Sequence, residues 1–235
     1  MKHTTNELIA VAHDYYPRGR SYDDSTETEE NHRLIKARKR AGAECASWRS
    51  LLNRTREQFP GKYVQNGSLH LPMGAMEASY AGGIFLQNAP DGLTHTVEFR
   101  ISFLIPYYFI YCERVVDDPE ALKAYRESSS SVVGVFTGDI GHFIPAEVAD
   151  PEFRAKEERL FRRLITSFDP SPDEAPFVTW IAREIESTFG AERMPPEVGA
   201  VIVPDVATGA RQLGEATIYD CLFTDDYDPV PFWKR

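Results

Sequence analysis

The sequence lacks most of what would name a chemistry. It has no HExxH, no Walker-type loop, no GxGxxG and no GxSxG, so the familiar signatures of zinc proteases, phosphate cradles, dinucleotide sites and serine hydrolases are missing. Cysteine is scarce: Cys45, Cys112 and Cys221 are the only three in 235 residues, far apart in apolar surroundings, with no CxxC pair. That pattern fits buried reduced thiols and argues against a disulfide framework or a thiolate metal site. Long apolar runs are missing as well, since the longest, 103–112, contains Pro106 and is too short to span a bilayer. The opening MKHTTNELIA has no apolar signal core, so a cytoplasmic protein that does not enter membranes is expected. There is no internal repeat and no long low-complexity segment.

What the chain does have is apolar mass and negative charge. At 42% hydrophobic and 12% aromatic content it can bury a substantial core, and one domain is expected over 1–235. The segment 97–113, VEFRISFLIPYYFIYCE, demands burial most. Val97, Phe99, Ile101, Phe103 and Ile105 alternate with Glu98, Arg100 and Ser102, the period of a half-buried strand. From Tyr107 to Cys112 both faces are apolar or aromatic, so both must be covered. This segment is the expected centre of the sheet, as one strand bent at Pro106 or as two successive strands.

The spacing around it predicts an α+β domain with an antiparallel or mixed sheet, helical over about 1–60 and sheet-containing over about 61–235. A first helix is capped by Thr4 or Thr5 and ends before Pro17. A long second helix is expected from about Thr26 to Gln58, with Gly42 as a bend and Pro60-Gly61 as its stop. Unbroken, it would be about 50 Å long at about 1.5 Å per residue, so its Cys45, Trp48 and Leu52 stripe invites a homodimer. Strands are predicted at 68–71 and 79–87, the latter paired with 93–105 across Asn88-Ala89-Pro90-Asp91-Gly92, with Gly82-Gly83 marking a bulge or a close backbone approach. A short helix starts at Asp117 or Asp118, a strand spans 132–136, and a helix opens at Asp150-Pro151 with Phe153, Leu160, Phe161, Leu164, Ile165 and Phe168 in one stripe. Another helix, with Ser171 and Glu174 as a capping box, runs to Phe189 and stops at Gly190. Strands at 198–203 and 213–223 close the reading.

Charge is unevenly spread over a net of -10. Between Asn31 and Lys62 stand Arg33, Lys36, Arg38, Lys39, Arg40, Arg49, Arg54, Arg56 and Lys62 against Glu44 and Glu57, whereas from Val198 to Val230 Asp205, Glu215, Asp220, Asp225, Asp226 and Asp228 face only Arg211. The net charge speaks against nucleic acid and anionic membranes and for a basic partner. The basic stretch is expected to be solvated or to meet the acidic section within the chain or across a dimer.

Candidate chemistry is sparse. Gly138-Asp139-Ile140-Gly141-His142 places Asp139 and His142 on a glycine-rich loop where they could orient a general base, with Glu98 as an accompanying carboxylate, but no nucleophile is nearby and a structural turn explains the loop as well. Glu98 and Glu113 could pair as hydrolase carboxylates do, though Arg100 and Arg114 offer ion pairing. Asp220, Asp225, Asp226 and Asp228 match no calcium loop or phosphoryl-transfer spacing, so no metal and no cofactor is expected. His70 and His95 have no partners in sequence and read as structural.

The acidic end interleaves aromatics: Tyr219, Phe223, Tyr227, Phe232 and Trp233 stand among Asp220, Asp225, Asp226 and Asp228. Aromatic anchors ringed by carboxylates suit a binder of a basic protein, with charge setting encounter rate and rings setting residence. In size, acidity and lack of motifs the whole chain resembles the small cytoplasmic immunity proteins that bacteria make against polymorphic or contact-delivered toxins. The resemblance implies a non-enzymatic protein whose partner is a cognate toxin, plausibly a basic nuclease, blocked at its active site. The alternative is a small cytoplasmic hydrolase or transferase using Asp139, His142 and Glu98.

Overall fold

The computed structural model describes residues 2–25, 27–68, 78–88, 94–117 and 162–224. Helix α1 (Thr5–Tyr15) starts where the sequence provides a cap: the Thr4 amide donates to Glu7 Oε2 at 2.6 Å and the Glu7 amide returns to Thr4 Oγ1 at 3.3 Å. Its buried side carries Leu8 and Ala12.

The expected long second helix is two helices, α2 (Glu29–Ala43) and α3 (Ala46–Gln58). Glu44 and Cys45 adopt ψ values of 22° and 12°, outside helical geometry, and turn the chain two residues beyond the anticipated Gly42. The break has a packing reason. Leu34 belongs to one half of the core, while Ala41 joins Trp48, Leu51 and Leu52 in the other. The stripe expected to pair two subunits is thereby consumed inside the chain: Trp48 and Leu52 are buried on its own sheet, and the Trp48 indole stacks on Tyr80 and donates to Asn66 Oδ1 at 3.0 Å.

The sheet contains β1 (Tyr63–Asn66), β2 (Ser79–Asn88), β3 (Thr94–Ser102), β4 (Tyr107–Asp117) and β5 (Arg162–Ser167) in that spatial order, all antiparallel. Strand β6 (Glu192–Arg193) pairs parallel with the start of β4, which makes the sheet mixed. The 97–113 segment is central, as two strands: β3 ends at Ser102 and β4 begins at Tyr107, with Pro106 exposed in the connection where no ladder donor is needed. Residues Tyr107 to Cys112 are all buried, as two covered faces require.

On one face Val97, Phe99, Ile101, Ile84, Tyr108 and Ile110 pack beneath α3 and α4 (Ala175–Phe189). On the other, Tyr107 and Phe109 pack against α1 and against α6 (Ile218–Leu222), which follows the short α5 (Pro196–Gly199). Gly82 and Gly83 mark close approach, not a bulge. A Cβ on Gly82 would collide with the Phe99 ring and Trp48, and one on Gly83 with the Glu98 carboxylate; the register shift falls further on, between Phe85 and Gln87.

Two expectations fail for physical reasons. Residues 162–167, read as the end of a helix, form β5, because the edge of β4 that faces away from β3 takes a strand from Cys112 to Asp117. Strands at 198–203 and 213–223 are replaced by α5, a single bridge between Ile202 and Thr217, and α6. Ile218, Tyr219, Asp220, Cys221 and Leu222 are all buried, and Thr217 with Asp220 forms a capping box. Strand β1 was not anticipated; the 68–71 strand reading lies, beyond Ser68, outside the described residues, as do 132–136 and the helix opening at Asp150, and of the helix start at Asp117 or Asp118 only Asp117 is described, as the last residue of β4. Gly190 stops α4 in the left-handed region, φ 62°, as expected.

Candidate functional site

Polar side chains converge at two places, one on each face of the sheet. The first is built on Glu174, at the head of α4 and fully buried. Arg114 Nε donates to its Oε1 at 2.7 Å and an Arg114 Nη contacts Oε2; His95 Nε2 also meets Oε1, and the Ser171 amide donates to Oε2 at 2.5 Å. Burial by itself would raise the carboxyl pKa. The hydrogen bonds from Arg114, His95 and Ser171 outweigh that and hold it well below the usual carboxylate range.

A thiol stands beside this node, so a nucleophile, an imidazole and a carboxylate are gathered. Their arrangement is wrong for nucleophilic catalysis. Burial, reinforced by the Glu174 charge, pushes the Cys112 thiol up to about 12, and Cys112 is 1% exposed. Glu174 spends its oxygens on a guanidinium, an imidazole and a backbone amide. The node ties α4 to β3 and β4.

The second place is a cavity of about 210 Å³ on the opposite face, whose described lining includes Gln65, Gly83, Glu98, Arg100, Tyr111 and Glu113. The register explains why they meet. Gln65 lies opposite Gly83, Gly83 opposite Glu98 and Glu98 opposite Tyr111, one row across four strands, with Arg100 and Glu113 in the flanking rows. Gly83 leaves the room that the Glu98 carboxylate occupies. Burial raises the Tyr111 pKa and neighbouring Arg100 only partly counters it, so the phenol stays protonated. One row further along the same face, Tyr63 lies opposite Phe85, rings 5.2 Å apart and edge to face; Tyr63 is 63% exposed.

The residues singled out from sequence fare unequally. Glu98 and Glu113 do share a site, which Arg100 also lines, whereas Arg114 turns to the other face and pairs with Glu174. Asp220, expected to face a partner, is 2% exposed, bonds Arg211 at 3.2 Å and caps α6. Tyr219 and Phe223 are core, packed on Phe109. His95, read as structural, is held by Glu174. Asp139, His142, Asp225, Asp226, Tyr227, Asp228, Phe232 and Trp233 lie outside the described residues. Sequence reading missed the roles of Glu174 and Tyr63. Contacts across 79 and 60 residues leave no local trace, and Tyr63 sits in a strand of only four residues.

Among the described residues no group of three or more His, Cys, Asp or Glu is placed to hold a metal ion, and no helix is long and apolar enough to cross a membrane. No protein-family model, no curated protein and no solved structure matches the chain.

Proposed function

We propose that the protein works by binding another protein, in the manner of an immunity protein that occludes a cognate toxin, and that the edge of the sheet at Tyr63 and Phe85 is its contact surface. The observation that carries this reading is the exposed Tyr63 ring on edge strand β1, braced by Phe85 beside a cavity containing Glu98, Arg100 and Glu113. A rigid aromatic next to charged groups is the usual composition of an interface anchor, the ring supplying area at low entropic cost and the charges supplying orientation. The net charge of -10 favours encounter with a basic partner such as a nuclease. The pattern expected at residues 219–233, aromatics among carboxylates, thus has a counterpart on the sheet.

The test is co-expression with the product of the adjacent gene in a host that this product kills. The reading expects growth to be restored by the wild-type chain and lost with Y63A/F85A, while the variant remains folded by circular dichroism. Full rescue by the variant contradicts the proposed surface, and absence of rescue by the wild type contradicts the class. The competing reading, a hydrolase or transferase, has one observation in its favour: Glu98 stands in a cavity with Arg100 and Glu113. It would be favoured if the purified chain turned over ester or phosphoester substrates and E98Q did not.

A further inference from the structure

The basic stretch was expected to be solvated or to meet the acidic section of the chain. Within that acidic section Asp220 is committed to Arg211 and Thr217, and Glu215 to the Gln212 amide. Helix α2 buries Leu34 and Ala41 and turns the other way an exposed ridge of Arg33, Lys36, Lys39 and Arg40, linked by three- and four-residue steps. Arg33 is engaged, with Glu30 at 3.5 Å and with the Asp14 carbonyl at 2.7 Å. Among the described residues the side chains of Lys36, Lys39 and Arg40 make no hydrogen bond or ion pair. The acids of α2 and its cap stand only at the two ends, Glu29 and Glu30 before the ridge and Glu44 after it.

We infer that this ridge is a docking surface for the phosphate backbone of a nucleic acid. Three considerations favour phosphate over an acidic protein. Lysine is depleted in protein interfaces, where an apolar or aromatic anchor is the rule, and the exposed large apolar side chain that α2 offers is Ile35, at 37% exposure. Exposed cations exchange their counterions for phosphates, and the release of those counterions drives the association. From Arg33 to Arg40 the ridge spans about 10 Å at about 1.5 Å per residue, enough to contact neighbouring phosphates along one strand. The net charge of -10 opposes long-range approach, but at physiological salt screening acts over about 8 Å, so the ridge governs close contact. Binding is therefore short-ranged and sequence-independent.

The experiment is fluorescence anisotropy of the full chain with a labelled DNA duplex of about 20 base pairs, titrated from about 50 mM potassium chloride upward, with poly-L-glutamate as competitor. Saturable binding is expected whose logarithmic salt slope is about -3, the value for three to four phosphates neutralised, and K36E/K39E/R40E should weaken it at least roughly tenfold. All three positions are exposed, so this variant keeps its fold, which circular dichroism verifies. No binding at the lowest salt, binding unchanged in K36E/K39E/R40E, or binding to poly-L-glutamate in preference to the duplex would each overturn the inference.

Discussion

Arg114 on β4 and Glu174 at the head of α4 form a two-point ion pair in which the carboxylate is completely buried and the guanidinium about one-third exposed. Desolvating a carboxylate is costly, and removing its partner leaves that cost uncompensated. Arg114→Ala is therefore expected to destabilise the fold by about 3 kcal/mol, read as a lower urea midpoint with an unchanged slope. A loss below about 0.5 kcal/mol would mean that water reaches Glu174 and replaces the arginine.

The same node sets a pH dependence. The Glu174 pKa is lowered by folding, so the carboxylate contributes stability above its unfolded value of about 4.3, and that contribution fades as pH falls from there toward the folded value. The stability difference between wild type and Glu174→Gln should thus be largest near neutrality and shrink in unfolding series taken below about pH 4.3. A difference independent of pH would show that the Glu174 charge is not what matters.

Gly82 and Gly83 separate two kinds of close approach. Alanine at 82 meets the rings of Phe99 and Trp48, which are locked in the core, whereas alanine at 83 meets a carboxylate that can swing away. Gly82→Ala should cost about 1–3 kcal/mol and Gly83→Ala less, by thermal unfolding. Near-neutral stability in both would contradict the packing described for the centre of the sheet.

The cysteines give a direct count of accessible thiols. Cys45 is half-buried, while Cys112 and Cys221 are buried, and the Cys112 thiol is pushed up to about 12. In the native protein one thiol should react with Ellman's reagent, and the other two only after unfolding. Rapid native modification of Cys112 would reopen the nucleophile reading of its site.

Much of the fold was legible because it is written in local patterns. The period-two alternation around Phe99, the Thr4 cap and Gly190 each specify their element from neighbouring residues alone. The reading went astray where tertiary demand overrides local preference. The helical run from 26 to 58 breaks at Glu44 because Leu34 and Trp48 serve different halves of the core. Arg162–Ser167 becomes a strand because β4 supplies an edge. The candidate site was legible only in part: Glu98 and Glu113 stood out as a pair, but the neighbouring rows that bring them together with Gln65 and Gly83 exist only once three hairpin registers are fixed. The stripe that invited a dimer is buried within the chain, so a light-scattering mass near the 26.6 kDa of one chain is expected.

The central claim is that Tyr63 and Phe85 form a protein-binding surface. It is tested most directly by hydrogen–deuterium exchange of the chain alone and with the product of the adjacent gene. The account predicts slowed exchange over 63–67 and 81–86 on addition of that partner, with the rest of the sheet unchanged. Complex formation that leaves both segments unaltered would contradict it.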